Sequence, residues 1–429
     1  MKPNANLLSG RIKKNEIKTL ACSMLYVFSL FVAYYLLRPI RDELGVAGGI
    51  KNLPWLFTGT LIAMLLLSPL FSLLIKKYNR LTAINLSYHF FALNLLIFYL
   101  LLIPAFNEYR LWTGRFFFIW LSVFNLFVVS IFWSLIVDIF TSQQGMRLFG
   151  MLSAGATLGA MVGSLLTLVL VKCLDQQGLI LLAFVMLEVS VVAAHRAVYH
   201  SQTQPSLNQP AQIASELPIG GSLFAGITQT LRSPYLSGIA LFMLFYSVTS
   251  TFLYLEQASI AANTFSGRAE RTAFFATLDL WVNIMTLIAQ IFLTAKALKW
   301  LGLSLTLAIL PLITLAGFSV LLAFPTLLIF VVFQVARRIS NFTFARPSRE
   351  ILFTRIDREG RYKAKNFIDT VVYRLGDQVG SWSYGGLMNL GNNSGFLAYI
   401  AIPISLLWLA LACWLGRKSL SHTLNPGGE

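Results

Sequence analysis

Apolar runs of roughly 20 residues, long enough to cross a bilayer as helices, recur from one end of this 429-residue chain to the other. A helix satisfies all of its backbone hydrogen bonds within the segment, so it can lie in lipid. The composition agrees, because 57% of the residues are hydrophobic, only 12% are charged, and the mean hydropathy is +0.71. Soluble globular chains do not have such a composition. The sequence therefore predicts an all-α polytopic membrane protein.

We predict twelve membrane-spanning helices in two sets of six. Their expected bounds are 18–40, 53–75, 81–104, 112–139, 148–171, 177–195, 234–256, 272–294, 301–322, 324–349, 365–389 and 394–415. A polar stretch with three prolines separates the two sets. The predicted organisation is an N-terminal bundle at 1–195, a cytoplasmic linker at 196–233 and a C-terminal bundle at 234–429.

The distribution of lysine and arginine predicts the orientation in the membrane. Of the 33 such residues, 20 fall in the terminal segments and the loops after spans 2, 4, 6, 8 and 10, only 6 fall in the opposite loops, and 7 lie within or at the edges of spans. By the positive-inside rule, the richer set is cytoplasmic. The formal net charge of +16 then reflects topology, so we expect no nucleic-acid partner. We expect a monomer in the lipid bilayer of a bacterial inner membrane, with both termini cytoplasmic.

Residues that would mark an enzyme or a metal centre are few and scattered. The three cysteines and four histidines lie far apart in the chain, without the spacing of metal ligands. No P-loop, dinucleotide-binding fingerprint or catalytic triad pattern occurs where it could act. We therefore expect neither enzymatic activity nor a bound metal or cofactor.

The two sets of six spans resemble each other in sequence. Short basic loops follow span 2 (IKKYNRL) and span 8 (AKALKWLG). Glycines four residues apart, Gly159 with Gly163 and Gly376 with Gly380, stand at matching positions in spans 5 and 11. Such pairs let membrane helices approach closely. Parallel six-span repeats are the layout of the major facilitator fold, so we expect that fold, with a central substrate site exposed alternately to either side.

Seven arginines lie inside or at the edges of the predicted spans: Arg38, Arg41, Arg337, Arg338, Arg346, Arg349 and Arg374. Facing lipid, each would cost roughly 3 kcal/mol, and all seven about 20 kcal/mol, which exceeds the net stability of most proteins. We therefore expect them to face a bundle interior or an aqueous cavity. Because the guanidinium fork suits phosphate and carboxylate groups, the sequence predicts a transporter of a small anionic substrate.

Substrate contacts are assigned to arginines on three spans and to two tyrosines. In a continuous α-helix, Arg338, Arg346 and Arg349 would fall within an arc of about 80°. The assigned residues are Arg38, Arg41, Arg338, Arg346, Arg349, Arg374, Tyr34 and Tyr246. Two alternatives remain open: the arginines pair with nearby carboxylates, and the tyrosine rings pack in the core instead of stacking on a planar ligand.

Five carboxylates are candidates for proton coupling or gating, because a carboxylate removed from water favours its neutral form. Glu256 and Asp279 lie in apolar runs without a basic neighbour in sequence. Asp42, Glu350 and Asp377 accompany the arginines of spans 1, 10 and 11. The alternative for each carboxylate is a structural ion pair.

Four stretches of the chain resemble a known family. FARPSREILFTRIDREGRYKAKNFIDTVVYRLGDQVGS at 344–381 resembles the span 10–11 signature of the nucleotide transporter family, the ATP/ADP translocases of obligate intracellular bacteria and plastids. IRDELGV at 40–46, FWSLIVDIF at 132–140 and FLYLEQASI at 252–260 resemble its spans 1, 4 and 7. The resemblance implies nucleotide transport on a fold related to the major facilitators.

Residue by residue, the resemblance implies roles for five positions. Arg41 stands at the family's span-1 lysine, and Glu256 stands at its span-7 glutamate. Arg349 and Glu350 match the Lys-Glu pair of span 10, and Arg374 matches the arginine of span 11. These positions are implicated in nucleotide transport in the family.

Two departures from the family pattern bear on the substrate. Asp377 stands where the family carries a lysine, and no basic residue occurs in QASIAAN at 257–263, after the span-7 glutamate. Because a triphosphate carries about four negative charges, losing cationic partners weakens that substrate most. The sequence thus leaves two substrates open: a nucleotide, exchanged or co-transported with protons, and another multivalent anion such as a polycarboxylate or citrate-type siderophore.

Overall fold

A computed structural model of the chain describes residues 16–202, 225–354, 356, 364–365, 367–390 and 394–424. Every regular element in these ranges is helical, and they contain no strand. The predicted all-α class is confirmed. Most of the predicted linker, residues 203–224, lies outside the described residues, and the domain boundary at 196–233 stays a prediction.

The described part of the first half forms five α-helices, which are α1 Ile17–Ala47, α2 Leu53–Lys77, α3 Arg80–Leu101, α4 Arg110–Ile139 and α5 Ser142–Gln202. A short helix, α6 Ala225–Arg232, precedes the second half. The second half forms α7 Pro234–Thr264, α8 Arg268–Phe292, α9 Thr294–Trp300, α10 Gly302–Ala323, α11 Leu327–Ser340, α12 Arg346–Phe353, α13 Tyr373–Leu390 and α14 Ser394–Leu424. Two π-helical turns, Asn341–Ala345 and Ile368–Val372, precede α12 and α13.

Ten helical stretches among the described residues are long and apolar enough to cross a membrane. One of them, Leu148–Gln202, contains two of the predicted spans, and the backbone bends between these at Asp175, where φ is 53°. The predicted span at 365–389 is not among the ten; its described part consists of a π turn followed by α13. The multi-pass character is confirmed, and the count of twelve stays a prediction.

The chain divides into two compact units. Unit 1 comprises Met1–Leu44, Ile62–Glu216 and Arg268–Thr277, and unit 2 comprises Gly45–Leu61, Leu217–Gly267 and Leu278–Glu429. Each unit is thus made mainly of one half of the chain and includes one short segment from the other half.

A chain of buried hydroxyl groups ties three helices of unit 1 together. The hydroxyls of Tyr26 in α1 and Tyr88 in α3 lie 2.5 Å apart, and Tyr88 donates to the carbonyl oxygen of Val128 in α4 at 2.8 Å. Both tyrosines are fully buried, and the Tyr26 ring meets Phe132 edge-on at 5.0 Å. Since a buried hydroxyl without a partner is costly, these bonds hold α1, α3 and α4 in one arrangement.

Unit 2 is built on long helix pairs: α10 packs along α14, and α7 packs along α13 and α14. Trp408 in α14 is fully buried, and its ring lies 5.3 Å from that of Phe242 and 6.3 Å from that of Tyr246, both in α7. Large rings of this kind supply much of the buried apolar area of a core. They position α7, which carries several of the predicted site residues.

In each unit, two helices contact each other closely at a predicted glycine pair. A methyl group added to Gly159 in α5 would lie 2.4 Å from the carbonyl oxygen of Phe28 in α1. One added to Gly376 in α13 would lie 2.5 Å from the Cβ of Ser247 in α7. The second glycine of each pair approaches the same neighbouring helix. The predicted close approach is confirmed at matching positions of the two halves.

We expect Gly159→Ala to lower the midpoint of thermal unfolding in detergent. The added Cβ would meet a backbone carbonyl oxygen, which cannot move aside as a flexible side chain can. Overpacking of this kind costs about 1–3 kcal/mol. Gly150→Ala in the same helix is the control, since a Cβ there meets nothing within 4 Å and alanine favours a helix over glycine by about 0.5–1 kcal/mol. Equal midpoints for the two variants would contradict the close contact.

Candidate functional site

Three of the five intramembrane arginines of unit 2 are paired with aspartates from the same unit. The pairs are Arg338 with Asp279 at 2.8 Å, Arg349 with Asp369 at 3.3 Å, and Arg374 with Asp377 at 3.1 Å. We use the term unit-2 charge cluster for these six residues together with Arg337 and Arg346. Ion pairing, one of the two alternatives left open by the sequence, therefore applies to three of the assigned arginines.

A π turn separates the arginines of predicted span 10 into two groups. Asn341–Ala345 lies between Arg338 at the end of α11 and Arg346 at the start of α12. A π turn holds one residue more than an α-helical turn, so it rotates the C-terminal part of the span by about 100°. The expectation of one continuous α-helix is therefore wrong. After this rotation the three arginines still span about 80°, but Arg346 and Arg349 lie on the other side of Arg338 around the helix axis.

Side chains of α8 and α9 satisfy the carbonyl groups that this π turn exposes. Gln290 donates to the carbonyl oxygen of Phe342 at 3.2 Å, and Thr294 donates to that of Thr343 at 3.1 Å. An unpaired carbonyl in a membrane helix would be costly. These two donors therefore help to explain why the irregular turn is stable here.

A second π turn shapes the start of α13. Ile368–Val372 contains Asp369 and is followed directly by Tyr373 and Arg374. Ser247 in α7 lies within hydrogen-bond distance, 2.8 Å, of the Tyr373 carbonyl oxygen. Both π turns thus lie next to charged residues of the cluster, and π turns are frequent at functional sites.

Arg337 is fully surrounded by protein, with 2% of its surface exposed. Its Nη2 donates to the carbonyl oxygen of Tyr246 at 3.1 Å and to Oγ1 of Thr249 at 2.9 Å. Its guanidinium carbon lies 5.3 Å from the centre of the Tyr246 ring. No carboxylate of the described residues lies within ion-pair distance of Arg337. This arginine had no predicted role, because it falls on a different helix face from its neighbours.

Tyr246, one of the two tyrosines assigned to the substrate, occupies a fixed position in unit 2. Asn341 donates to its hydroxyl group at 2.9 Å, and its ring lies 6.2 Å from that of Tyr373. Together with the Arg337 contacts, these hold the ring beside the cluster. Tyr34 lies in unit 1, where its ring packs edge-on against Tyr35 at 5.4 Å, and its substrate role stays a prediction.

Arg346 and Arg349 differ in their surroundings. Arg346 is exposed, and its guanidinium carbon lies 4.9 Å from the Phe342 ring; it has no ion pair with the described part of the chain. Arg349 is largely buried and contacts the Met243 sulfur as well as its aspartate. Glu350 pairs with Lys365 at 2.5 Å. Arg346 is thus the cluster arginine most available to a ligand.

The predicted coupling carboxylates of unit 2 are all held by hydrogen bonds or ion pairs. Glu256 is buried, and the Tyr384 hydroxyl donates to its Oε2 at 3.1 Å. Asp377 is buried beside Ser247 at 2.7 Å and Thr251 at 3.2 Å, in addition to its arginine. Asp377 therefore has several donors around its charge.

In unit 1, the charged end of α1 forms its own network. Arg41 pairs with Asp42 at 2.6 Å and lies over the Phe118 ring at 5.0 Å. Arg38 lies over the Tyr35 ring, 5.7 Å from its centre. The local Arg–Asp pairing expected from the sequence is present.

Glu43 is the centre of a second polar network, which was not predicted from the sequence. It is fully buried and pairs with Arg271 at 2.8 Å, while Gln176 donates to it at 2.6 Å. Gln176 in turn accepts a hydrogen bond from Arg110 at 3.0 Å. These partners were missed because Gln176 and Arg271 lie in predicted loops, far from Glu43 in sequence. A cavity of about 220 Å³ in unit 1, whose walls include Arg110, Gln176 and Arg268, adjoins this network.

These groups are suited to binding an anion inside a membrane. Among the described residues, no group of histidine, cysteine, aspartate and glutamate side chains could hold a metal ion. Arginines inside apolar helices attract phosphate and carboxylate groups. The arrangement therefore suits a carrier of anions.

Comparisons with known proteins agree with this conclusion. ADP,ATP carrier protein 1 of Chlamydia muridarum (strain MoPn / Nigg) is 23% identical over 479 aligned positions, which cover 96% of this chain and 90% of the relative. ADP,ATP carrier protein 2 of Chlamydia pneumoniae is 20% identical over 372 positions, covering 73% of this chain and 67% of the relative.

Solved structures show the fold. A bacterial homologue of the iron transporter ferroportin aligns with a TM-score of 0.64 at 14% identity, covering 94% of this chain and 100% of that one. The nucleoside transporter NupG aligns with a TM-score of 0.56 at 11% identity, covering 95% and 99%. The predicted major-facilitator-like fold is confirmed.

The family model described as TLC ATP/ADP transporter matches residues 105–419. This range includes every residue of the unit-2 charge cluster and most of the spans that the sequence predicts. The chain therefore belongs to the TLC ATP/ADP transporter family, as its sequence resemblance implied.

Proposed function

We propose that this protein carries a nucleotide across a bacterial inner membrane by alternating access, in exchange for another nucleotide or together with protons. The observation that carries the proposal is the unit-2 charge cluster, in which five arginines and three aspartates lie on the membrane helices of unit 2. The family match over 105–419 and the ADP,ATP carriers among the relatives support a nucleotide as the anion. Both termini are assigned to the cytoplasm on the distribution of basic residues.

The ion pairs of the cluster solve the problem of keeping arginines in an apolar helix when no substrate is bound. An unpaired buried charge is strongly destabilising, whereas a paired one is tolerated. Arg349 and Arg374 are each held by an aspartate within 3.3 Å. Their side chains are therefore ordered before the substrate arrives, and the remaining positive charge of the cluster attracts it.

Tyr246 supplies a planar surface beside these charges. Its ring is fixed by Arg337 from one side and by Asn341 at its hydroxyl. An aromatic ring that is already ordered loses little conformational entropy on stacking with a planar group. We assign Tyr246 to the base of the nucleotide and the cluster arginines to its phosphate.

Glu256 is the candidate for the coupling proton. It is buried in α7, and the Tyr384 hydroxyl is one of its hydrogen-bond donors. Carboxylic groups inside membrane helices are the kind of group that can gain and lose a proton during a transport cycle.

Counterflow in proteoliposomes tests the proposal directly. We expect labelled nucleotide to accumulate in vesicles that contain unlabelled nucleotide and not in vesicles that contain buffer. Accumulation into buffer-filled vesicles only when an inward proton gradient is imposed would instead indicate proton coupling. Uptake of labelled citrate with no nucleotide uptake would overturn the nucleotide assignment in favour of a polycarboxylate carrier.

We expect Arg349→Ala to reduce nucleotide counterflow at least about 100-fold, because it removes a charge-assisted contact and leaves the charge of Asp369 to repel the substrate. Lys299→Ala is the control, since Lys299 is an exposed cation of α9 outside the cluster. Both variants are measured at equal amounts of reconstituted protein. Undiminished counterflow with Arg349→Ala would remove this residue from the site.

A further inference from the structure

The cavity in unit 1 has a wall that carries charged side chains. With a volume of about 220 Å³, it lies between the start of α4, the bend in α5 and the start of α8. The charged residues in the described part of its wall are Arg110, Asp175 and Arg268. A pocket for a drug-sized ligand has a volume of roughly 300–1,000 Å³. The cavity therefore suits a small ion, or one group of a larger ligand.

Arg110 is held in one position in this wall. Its Nη1 donates to the carbonyl oxygen of Leu102 at 3.1 Å, and its Nη2 donates to Oε1 of Gln176 at 3.0 Å. Gln176 is buried, and its amide nitrogen donates to Glu43 at 2.6 Å and to the Thr272 hydroxyl at 3.1 Å. Because the amide group is bonded at both ends, its oxygen faces the arginine. The guanidinium group is therefore ordered before any ligand arrives.

The two arginines of the wall have donors available for a ligand. A guanidinium group has more N–H donors than two hydrogen bonds use, and Arg110 makes only those two with the described residues. Arg268 is exposed, and its guanidinium group forms no ion pair with the described part of the chain. Two cations thus line one cavity. An anion bound there would relieve their mutual repulsion and accept charge-assisted hydrogen bonds.

Two carboxylates belong to the same region and differ in their effect on an anion. Glu43 is fully buried and is already paired with Arg271 at 2.8 Å. Asp175 is exposed in the cavity wall, so its charge opposes an anion. Its backbone has φ 53° and ψ −174°, a conformation that favours glycine and is found in other residues mainly at ligand-binding and functional sites. The cavity wall therefore contains both attracting and opposing charges.

We propose that this cavity is a phosphate site, which takes one phosphate group of a nucleotide on Arg110 and Arg268. It lies in unit 1, so it is distinct from the unit-2 charge cluster. The choice of phosphate over carboxylate rests on the proposed function, because guanidinium groups suit both. The distribution of basic residues predicts that the start of α4, the bend in α5 and the start of α8 lie on the side away from the cytoplasm.

Protection of a thiol placed in the cavity wall tests the site. Ala269→Cys, at a residue of the wall, is made in a chain that also carries Cys22→Ser, Cys173→Ser and Cys413→Ser. A thiol reagent then labels position 269 alone. We expect ADP and inorganic phosphate each to slow the labelling about tenfold at about ten times the dissociation constant, and chloride at the same ionic strength to leave it unchanged.

The other outcomes of this labelling experiment contradict the proposal. Protection by citrate, with none by phosphate or ADP, would overturn the phosphate assignment. Protection by none of the three in the folded protein would overturn the site. Lys299→Cys in the same background is the control, because Lys299 is an exposed residue of α9 in unit 2. Equal protection of that thiol would also overturn the site.

Variants of the wall test which residues hold the phosphate group. We expect Arg268→Gln to raise the ADP concentration for half-protection at least about tenfold, equivalent to about 1.4 kcal/mol. Arg110→Gln should act in the same direction, and Arg268→Gln remains informative if Arg110→Gln does not fold. Asp175→Asn should lower this concentration, because it removes the opposing charge and keeps the size of the side chain. An unchanged concentration in folded Arg268→Gln and Asp175→Asn would overturn the assignment.

Arg349→Ala separates direct binding from a conformational change caused by a ligand in unit 2. Because Arg349 belongs to the unit-2 charge cluster, we expect its loss to leave the protection of position 269 unchanged. Loss of protection in this folded variant would overturn direct binding in the cavity. Counterflow is measured on the same preparations. Protection without counterflow would refute the proposed function and leave the phosphate site intact, whereas counterflow without protection would overturn the phosphate site alone.

Discussion

The pairing of arginine with aspartate inside apolar helices is the interaction on which the rest of unit 2 depends. A guanidinium group in lipid is costly, and a buried pair is tolerated only when its geometry leaves few groups unsatisfied. Arg338 and Asp279 join α11 to α8, and Arg374 and Asp377 lie against the hydroxyl groups of α7. Helix packing and ligand chemistry are therefore built from the same residues, and neither can change alone.

In the proposed site, the pairing also limits which anions can bind. Three of the five arginines of the unit-2 charge cluster are already matched by aspartates, so an anion would meet the remainder and not the sum of all arginines. Counting arginines along the sequence therefore overestimates the affinity of such a site for highly charged anions. The number of cations without an acidic partner is the more useful quantity, and among the described residues of the unit-2 charge cluster that number is two.

The sequence predicted the features that depend on periodicity and composition. Apolar run length predicted the helices, and the matched positions of Gly159 and Gly376 predicted two close helix contacts. The partner of Asp279 could not be predicted, because it lies 59 residues away on another helix. The same holds for Glu43 and Gln176, which meet across 133 residues. The π turn at 341–345 also could not be predicted, because no characteristic sequence marks it and it is stabilised by Gln290 and Thr294 from elsewhere in the chain.

The two π turns have a consequence for how transporters of this kind diverge. Each turn is an extra residue accommodated within a helix, so the loss of that residue by deletion would restore regular α-helix without shortening the span by more than about 1.5 Å. Every side chain beyond it would then point in a different direction. A single codon can thus redirect Arg346 and Arg349 together while leaving both arginines in the sequence. Relatives with the same charged residues at aligned positions can therefore have these side chains in different environments. Sequence alignment alone does not establish a shared site.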